Sequence, residues 1–506
     1  PAEGEDGEEG VCPPHPEGFV SYLKRQVTIP VAGPGNAPTL VKRFDYRTLP
    51  ALRDPERADL ADWHTVTQER TLQLDNQQEV ELTRHEYTYV NDIDIPFLHG
   101  RVVMKVTTRD FLPTVVTHAF SQLGADQTLA NVPVVQTQET FSGWDGSVST
   151  SLVQESAFTG DVVLREDAEG VQVLYEYDAL GRPLREILAP EDPQHRAENT
   201  WQYYLHCTDM GEAPGTSSTS VGGVTTRTYV DGFGRVIGEA RDHIDKDVPQ
   251  RLHETLEVRY DALGQTIERT EHDWYQNNPQ PLVTRFEYDD WGQCHRTTTP
   301  DGVIHHEQAK PTREGMVIRS WRSSGDRINA MTEASMNRFQ APDQLRTLDA
   351  SGKLLWTRNF TYDGLGRIDR QTDEHGDTQS FTYDALGRLS STSLPDRTVL
   401  EHGYAAHAEA ALLTEVALIP EGDRNQRAIL GSQAFDSLHR RTRTDVGKQS
   451  HRYHYQGGRN RPASYTTPAG AKIELSYLLN LTGAPVASVA PDQTCSYGLS
   501  LIHISR

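Results

Sequence analysis

The sequence predicts an all-β chain. Repeated β-hairpins would form a long, curved, spiralling antiparallel sheet, part of a hollow shell. Three observations predict it. A six-residue phrase, Tyr-Asp-x-x-Gly-Arg, recurs along the 506 residues. Residues around each copy alternate with a period of two, as half-buried strands do. Many of these strands, such as DTQSFTYD and RTTTPDGVIHHEQ, carry polar residues on both faces. A sheet wetted on both sides suits a curved wall around a hollow better than a sandwich with one dry core.

The clearest copies are Tyr177-Asp178-Ala179-Leu180-Gly181-Arg182, Tyr362-Asp363-Gly364-Leu365-Gly366-Arg367 and Tyr383-Asp384-Ala385-Leu386-Gly387-Arg388. Two copies end in glutamine: Tyr260 and Asp261 lead to Gly264, and Tyr288 and Asp289 lead to Gly292. Another opens on valine and keeps Asp231, Gly234 and Arg235. A degraded copy, FDSLHR, ends at Arg440 with His439 in the glycine slot. In places an Asp-x-x-Gly element precedes the phrase. Asp167 lies as far before Tyr177 as Asp373 does before Tyr383. The unit is therefore turn, strand, turn, strand. It closes in about twenty residues, a period typical of repeat architectures.

Each position has a local physical reason. Asp at the first turn position accepts bonds from the backbone N–H groups that follow it. Gly at the fourth adopts φ > 0 without a Cβ clash, as a hairpin loop with a bulge requires. The Tyr rings are expected to stack on equivalent positions of neighbouring hairpins. The Arg side chains are expected to lie along the sheet among the acidic residues. All of these motif residues are read as structural, with none catalytic, cofactor-binding or metal-binding.

Four segments follow. Residues 1–40 are acidic, then rich in Pro and Gly, and read as irregular. Residues 41–140 read as β-rich without clear repeats, with a short helix near 54–63 where Pro55 would suit the first turn. Residues 141–490 read as the repeat sheet. Residues 491–506 read as irregular and foreign to the repeat grammar, like a translated adapter. AAHAEAALLTEVALI, from Ala405, has helical propensity, but its neighbours favour a strand.

Bulk composition removes some classes. The net charge is -23, from 72 acidic and 49 basic residues. Such a surface repels phosphate backbones, so nucleic acid is not an expected partner. No apolar run approaches the ~20 residues that span a bilayer. Cys12, Cys207, Cys294 and Cys495 are too dispersed for a disulfide framework.

Candidate chemistry is sparse. His305 and His306 are adjacent on a strand, so they point to opposite faces and do not converge on one ion. Asp92 and Asp94 lack the glycine and later Glu of a calcium loop and read as turn carboxylates. No G-x-S-x-G, P-loop or G-x-G-x-x-G occurs. Trp144, Trp201, Trp274, Trp291, Trp321 and Trp356 suit either wall packing or sugar stacking.

The recurring Tyr-Asp-x-x-Gly-Arg with its upstream Asp-x-x-Gly resembles the bacterial RHS/YD-repeat family, over roughly 140–490 and best over 167–393. That family includes the B and C components of Tc insecticidal toxins and the RHS polymorphic toxins. The resemblance implies a non-catalytic shell of spiralling hairpins that holds a C-terminal toxic polypeptide. It implies partners among toxin-complex subunits, and export or display on a bacterial surface. The signature and aspartyl residues of self-cleavage are not found here. A carbohydrate- or receptor-binding surface module is the alternative, and a glycan-cleaving enzyme a remote one.

Overall fold

The computed structural model describes residues 22–497, apart from 33–34, 36, 54–59, 76–77, 205–213, 243–251, 276–277, 314, 338–339, 479–483 and 492. Among the described residues, 37 strands form one antiparallel sheet. Neighbours in sequence are neighbours in the sheet, from Arg25–Thr28 at one end to Gln493–Ser496 at the other. One strand is interrupted. Met316–Ser324 pairs with Arg327–Ile328 and then with Met331–Met336.

A meander of this kind sends successive turns to opposite rims of the ribbon. Every Tyr-Asp turn lies on one rim. The Asp-x-x-Gly turns at Asp167, Asp349 and Asp373 lie on the other. The two elements of the sequence repeat are therefore the two rims of the sheet. Beside each Tyr-Asp turn the register slips by one residue, as between Thr382 and Tyr383, where Ser390 is the extra residue that bulges from the returning strand.

The sheet is one layer thick over most of its length. Most strand residues are half-buried on both faces. A small dry cluster joins Leu164, Leu174 and Ile187. The accessible surface is 31418 Å², against roughly 19,000 Å² for a compact chain of this mass. Twist and curvature set the shape instead.

That curvature brings the ribbon back onto itself, edge to edge. The Val31 amide donates to the Gly364 carbonyl at 2.9 Å. Arg109 pairs with Glu409 at 2.8 Å, 300 residues away. Asp145 accepts from the Ser437 amide at 2.9 Å and its hydroxyl at 2.6 Å, 292 residues away. Glu169 accepts from the Asn460 amide at 3.1 Å, 291 residues away. Both members of these pairs rise together along the chain, so two coils run in the same direction. The rim of Asp-x-x-Gly turns on the first coil meets the Tyr-Asp rim of the second.

Several sequence expectations change. Trp63 begins the strand Trp63–Asp75, so the helix near 54–63 does not extend to its expected end; residues 54–59 lie outside the described residues. Pairing with Thr39–Leu49 supplies backbone partners that outweigh local helix propensity. The segment 1–40 contains the strand Arg25–Thr28, and 491–506 contains Gln493–Ser496. Both strands sit beside a neighbour whose open edge recruits them. No break falls at 140, since the strand Val134–Ser142 crosses it. From Ala405 the chain makes a turn and then the strand Leu413–Ile419.

Candidate functional site

The structure places the motif residues in a ladder along one rim. In each copy the Asp carboxylate organises the turn. Asp384 Oδ1 accepts from the Leu386 amide at 3.0 Å and the Arg388 amide at 2.9 Å. Its Oδ2 accepts from Arg388 Nε at 2.7 Å. The same 2.7 Å contact joins Arg182 to Asp178, Arg235 to Asp231, Arg367 to Asp363 and Arg440 to Asp436. The bonds from Arg182 hold the Asp178 carboxyl below the usual carboxylate range.

The Tyr joins one repeat to the one before it. The Tyr383 hydroxyl donates to the Ile368 carbonyl at 2.9 Å, directly after Arg367. Tyr260 reaches Val236 at 2.7 Å, Tyr288 reaches Thr266 at 2.8 Å, and Tyr362 reaches Pro342 at 2.7 Å. Tyr177 donates to Val162 at 2.8 Å. The ring is met by arginine, not by another Tyr as the sequence suggested. Arg367 lies 4.4 Å from the Tyr383 ring centroid, Arg235 4.5 Å from Tyr260, and Arg388 4.8 Å from Tyr404. Each Arg thus holds its own Asp and covers the next Tyr. Burial raises the Tyr383 hydroxyl above its ordinary pKa. The copies ending in Gln lack this clamp. Gln265 instead donates to the Gly292 carbonyl at 3.2 Å, one turn further on.

The Tyr-Asp turns are interlocking parts of a repeat, and the family comparison agrees. The model of the RHS repeat matches residues 362–399, which hold two full copies of the turn. Residues 362–399 thus read as an RHS repeat.

Among solved structures, this chain is similar to a TcdB2-TccC3-Cdc42 crystal structure, with 10% identity and a TM-score of 0.41. The match covers 89% of this chain and 35% of that one. A TcdB2-TccC3-TEV structure gives 10% identity, a TM-score of 0.43 and the same coverages of 89% and 35%. The Photorhabdus luminescens Tc holotoxin pore gives 11% identity and a TM-score of 0.29, over 90% of this chain and 32% of that one. The chain therefore spans about a third of the length of the structures it matches. No curated protein matches it.

The same turn position has two fates along the sheet. In the first coil the apolar residue at the tip is bare. Leu180 is 71% exposed, Phe233 88%, Leu263 85% and Trp291 90%. In the second coil Leu365, Leu386 and Leu438 are half-buried. The second coil's rim lies against the first; the first coil's own Tyr-Asp rim, over 178–292, has no neighbouring coil among the described residues.

The other candidates resolve into wall contacts. His306 stacks on Trp321 at 4.7 Å and meets Ser323 Oγ at 2.9 Å. His306 and Trp321 line a cleft of about 620 Å³ with His295, Arg296 and His305. Asp94 pairs with Arg53 at 3.0 Å, and Asp92 accepts from the Asp94 amide. Trp274 packs on His253 at 4.4 Å and donates to the Glu254 carbonyl at 2.7 Å. Cys294 and Cys495 are free thiols, while Cys12 and Cys207 lie outside the described residues. Sequence reading missed one cluster, Glu254, Glu257 and His272, whose ligand atoms lie within 4.8 Å of one another. A bulge at Thr255 puts both glutamates on one face, which strict alternation would separate.

Proposed function

We propose that this chain is a non-catalytic wall segment of an RHS-repeat toxin-delivery protein, which encloses a C-terminal toxic polypeptide. The observation that carries the proposal is the seam between coils. A single-layer sheet whose rim comes back against its own earlier rim after about 300 residues suits a wall wound around a space. Paired rims also remove turn edges that would otherwise stand open. The bare apolar rim at 178–292 supports the same reading, because its counterpart on the second coil is the surface that makes the seam. A further coil of the same kind would continue the wall there.

Partners follow from this role: a cargo polypeptide inside and other toxin-complex subunits outside. Export to the bacterial surface or medium follows as well. Among the described residues no helix is long and apolar enough to cross a membrane, which says nothing of a β-barrel. Glycan binding is the second reading, and the cleft beside Trp321 favours it. Protease challenge of the intact gene product tests the first. The C-terminal polypeptide should stay uncut until the sheet unfolds. Cleavage at the rate of an unprotected chain would sink the enclosing role. Glycan binding lost on Trp321→Ala would favour the second.

A further inference from the structure

The seam carries one buried group that the wall itself does not use. His407 is 7% exposed and sits where the coils meet. Its ring lies 5.5 Å from Trp144 of the first coil and 5.6 Å from His439 of the next turn. Its Nε2 is buried and has no hydrogen-bond partner. Beside it, Asp145 clasps Ser437 and Arg109 pairs with Glu409, the two side-chain bridges across this part of the seam.

We propose that this junction is an acid-sensitive latch, in which protonation of His407 loosens the contact between the coils. A neutral imidazole packs between Trp144 and His439 at little cost. A charged one there would bury an ammonium-like group with one N–H unsatisfied. The charged groups around it act in both directions. A protonated His439, itself opposed by Arg109, opposes a second positive charge, while a backbone hydrogen bond to Asp436 and the Asp145 and Asp436 carboxylates favour it. Glu409 is engaged by Arg109, and Arg440 by Asp436. Arg388 is turned to the Ala405 and Ala408 carbonyls of the same turn. Burial is the largest influence and His439 the next, and together they lower the His407 pKa from its ordinary value.

The sign follows from linkage. An opened seam returns His407 to water, where it titrates near 6.5. The closed seam takes up that proton only at lower pH. Below about 6.5 the open form therefore binds more protons, and closure weakens as pH falls. The inference concerns the seam alone and stands whether or not the wall encloses a cargo.

The test places spin labels at Phe111→Cys and Ala410→Cys, on either side of the seam. The four native cysteines are replaced by serine. Electron–electron distances should show one short population at about pH 7.5 and a second, longer one that grows severalfold toward about pH 5. Return to neutral pH should reverse it, with the far-ultraviolet strand signal retained throughout. His407→Gln should keep the short population at both pH values. His407→Phe, which stays uncharged and packs on Trp144, should do the same if the Gln variant folds poorly. Distances that do not change with pH would overturn the latch, as would opening in both variants like that of the parent. Loss of strand signal in step with opening would overturn it too.

Discussion

Gly387 holds φ at +84°, and Gly366 holds the same position at +82°. A β-branched side chain at +84° is strained whatever space surrounds it, so Gly387→Val should cost about 1–3 kcal/mol. Thermal unfolding measures this, and an unchanged midpoint would count against the turn assignment. His439 occupies the equivalent slot at φ +63°, the price of a degraded copy. Removing the Tyr383 hydroxyl should cost about 0.5–1.5 kcal/mol, because Tyr383→Phe leaves the Ile368 carbonyl without that donor. Denaturant titration of the two proteins checks it. Asp384 and Gly387 were legible in the sequence because their roles are settled within six residues. The partner of Arg367 was not legible. Its second contact is a Tyr ring in the following hairpin, and only the register between strands brings them together.

At the scale of the hairpin, stability comes from hand-over between copies. Arg388→Lys keeps a charge but loses the planar fork on Asp384 and much of the stacking on Tyr404. It should destabilise more than Gln265→Lys, since Gln265 has neither contact. Comparable unfolding midpoints for these two variants would contradict the hand-over. Strand periodicity and turn chemistry made the hairpins readable from 167 to 393. They did not reveal that the strand Arg25–Thr28 joins the same sheet, because the early turns use other residues. FSGWDGSVS lacks the Tyr-Asp phrase, yet its Asp145 makes a seam contact as well as its own turn. The expected helix near 54–63 fails at its described end for the opposite reason. Propensity there was local, while the strand at Trp63 depends on a partner fourteen residues earlier, at Leu49.

At the scale of the whole molecule, the wall depends on a few contacts between coils. Burial raises the Asp145 carboxyl, but hydrogen bonds from Ser437 and Ser147 outweigh it and hold its pKa at about 2, from an ordinary 3.8. A depressed carboxyl contributes its stability above the unfolded value and loses it as pH falls through the folded one. The Asp145 clasp should therefore persist at pH 5, where His407 acts, and fail only between 3.8 and about 2. Asp145→Asn should weaken the seam at neutral pH, with the difference from the parent shrinking toward pH 2; distances across the seam measure both. Gly143 packs directly on Ser437, so Gly143→Ala should push the coils apart without altering either hairpin. None of this was legible in the sequence. The contacts lie about 300 residues apart, and their pairing depends on curvature summed over more than twenty strands.

The central claim is that the sheet winds back against its own rim after one coil. Cross-linking tests it most directly, with a short bifunctional thiol reagent and cysteines at Glu169 and Asn460, whose parent residues are in hydrogen-bond contact at 3.1 Å. The account predicts rapid intramolecular linkage of this pair in the folded chain. It predicts none between Asn460→Cys and Leu263→Cys, on the bare rim of the first coil. Failure of the first pair to link, or equal linkage of both, would contradict the spiral wall.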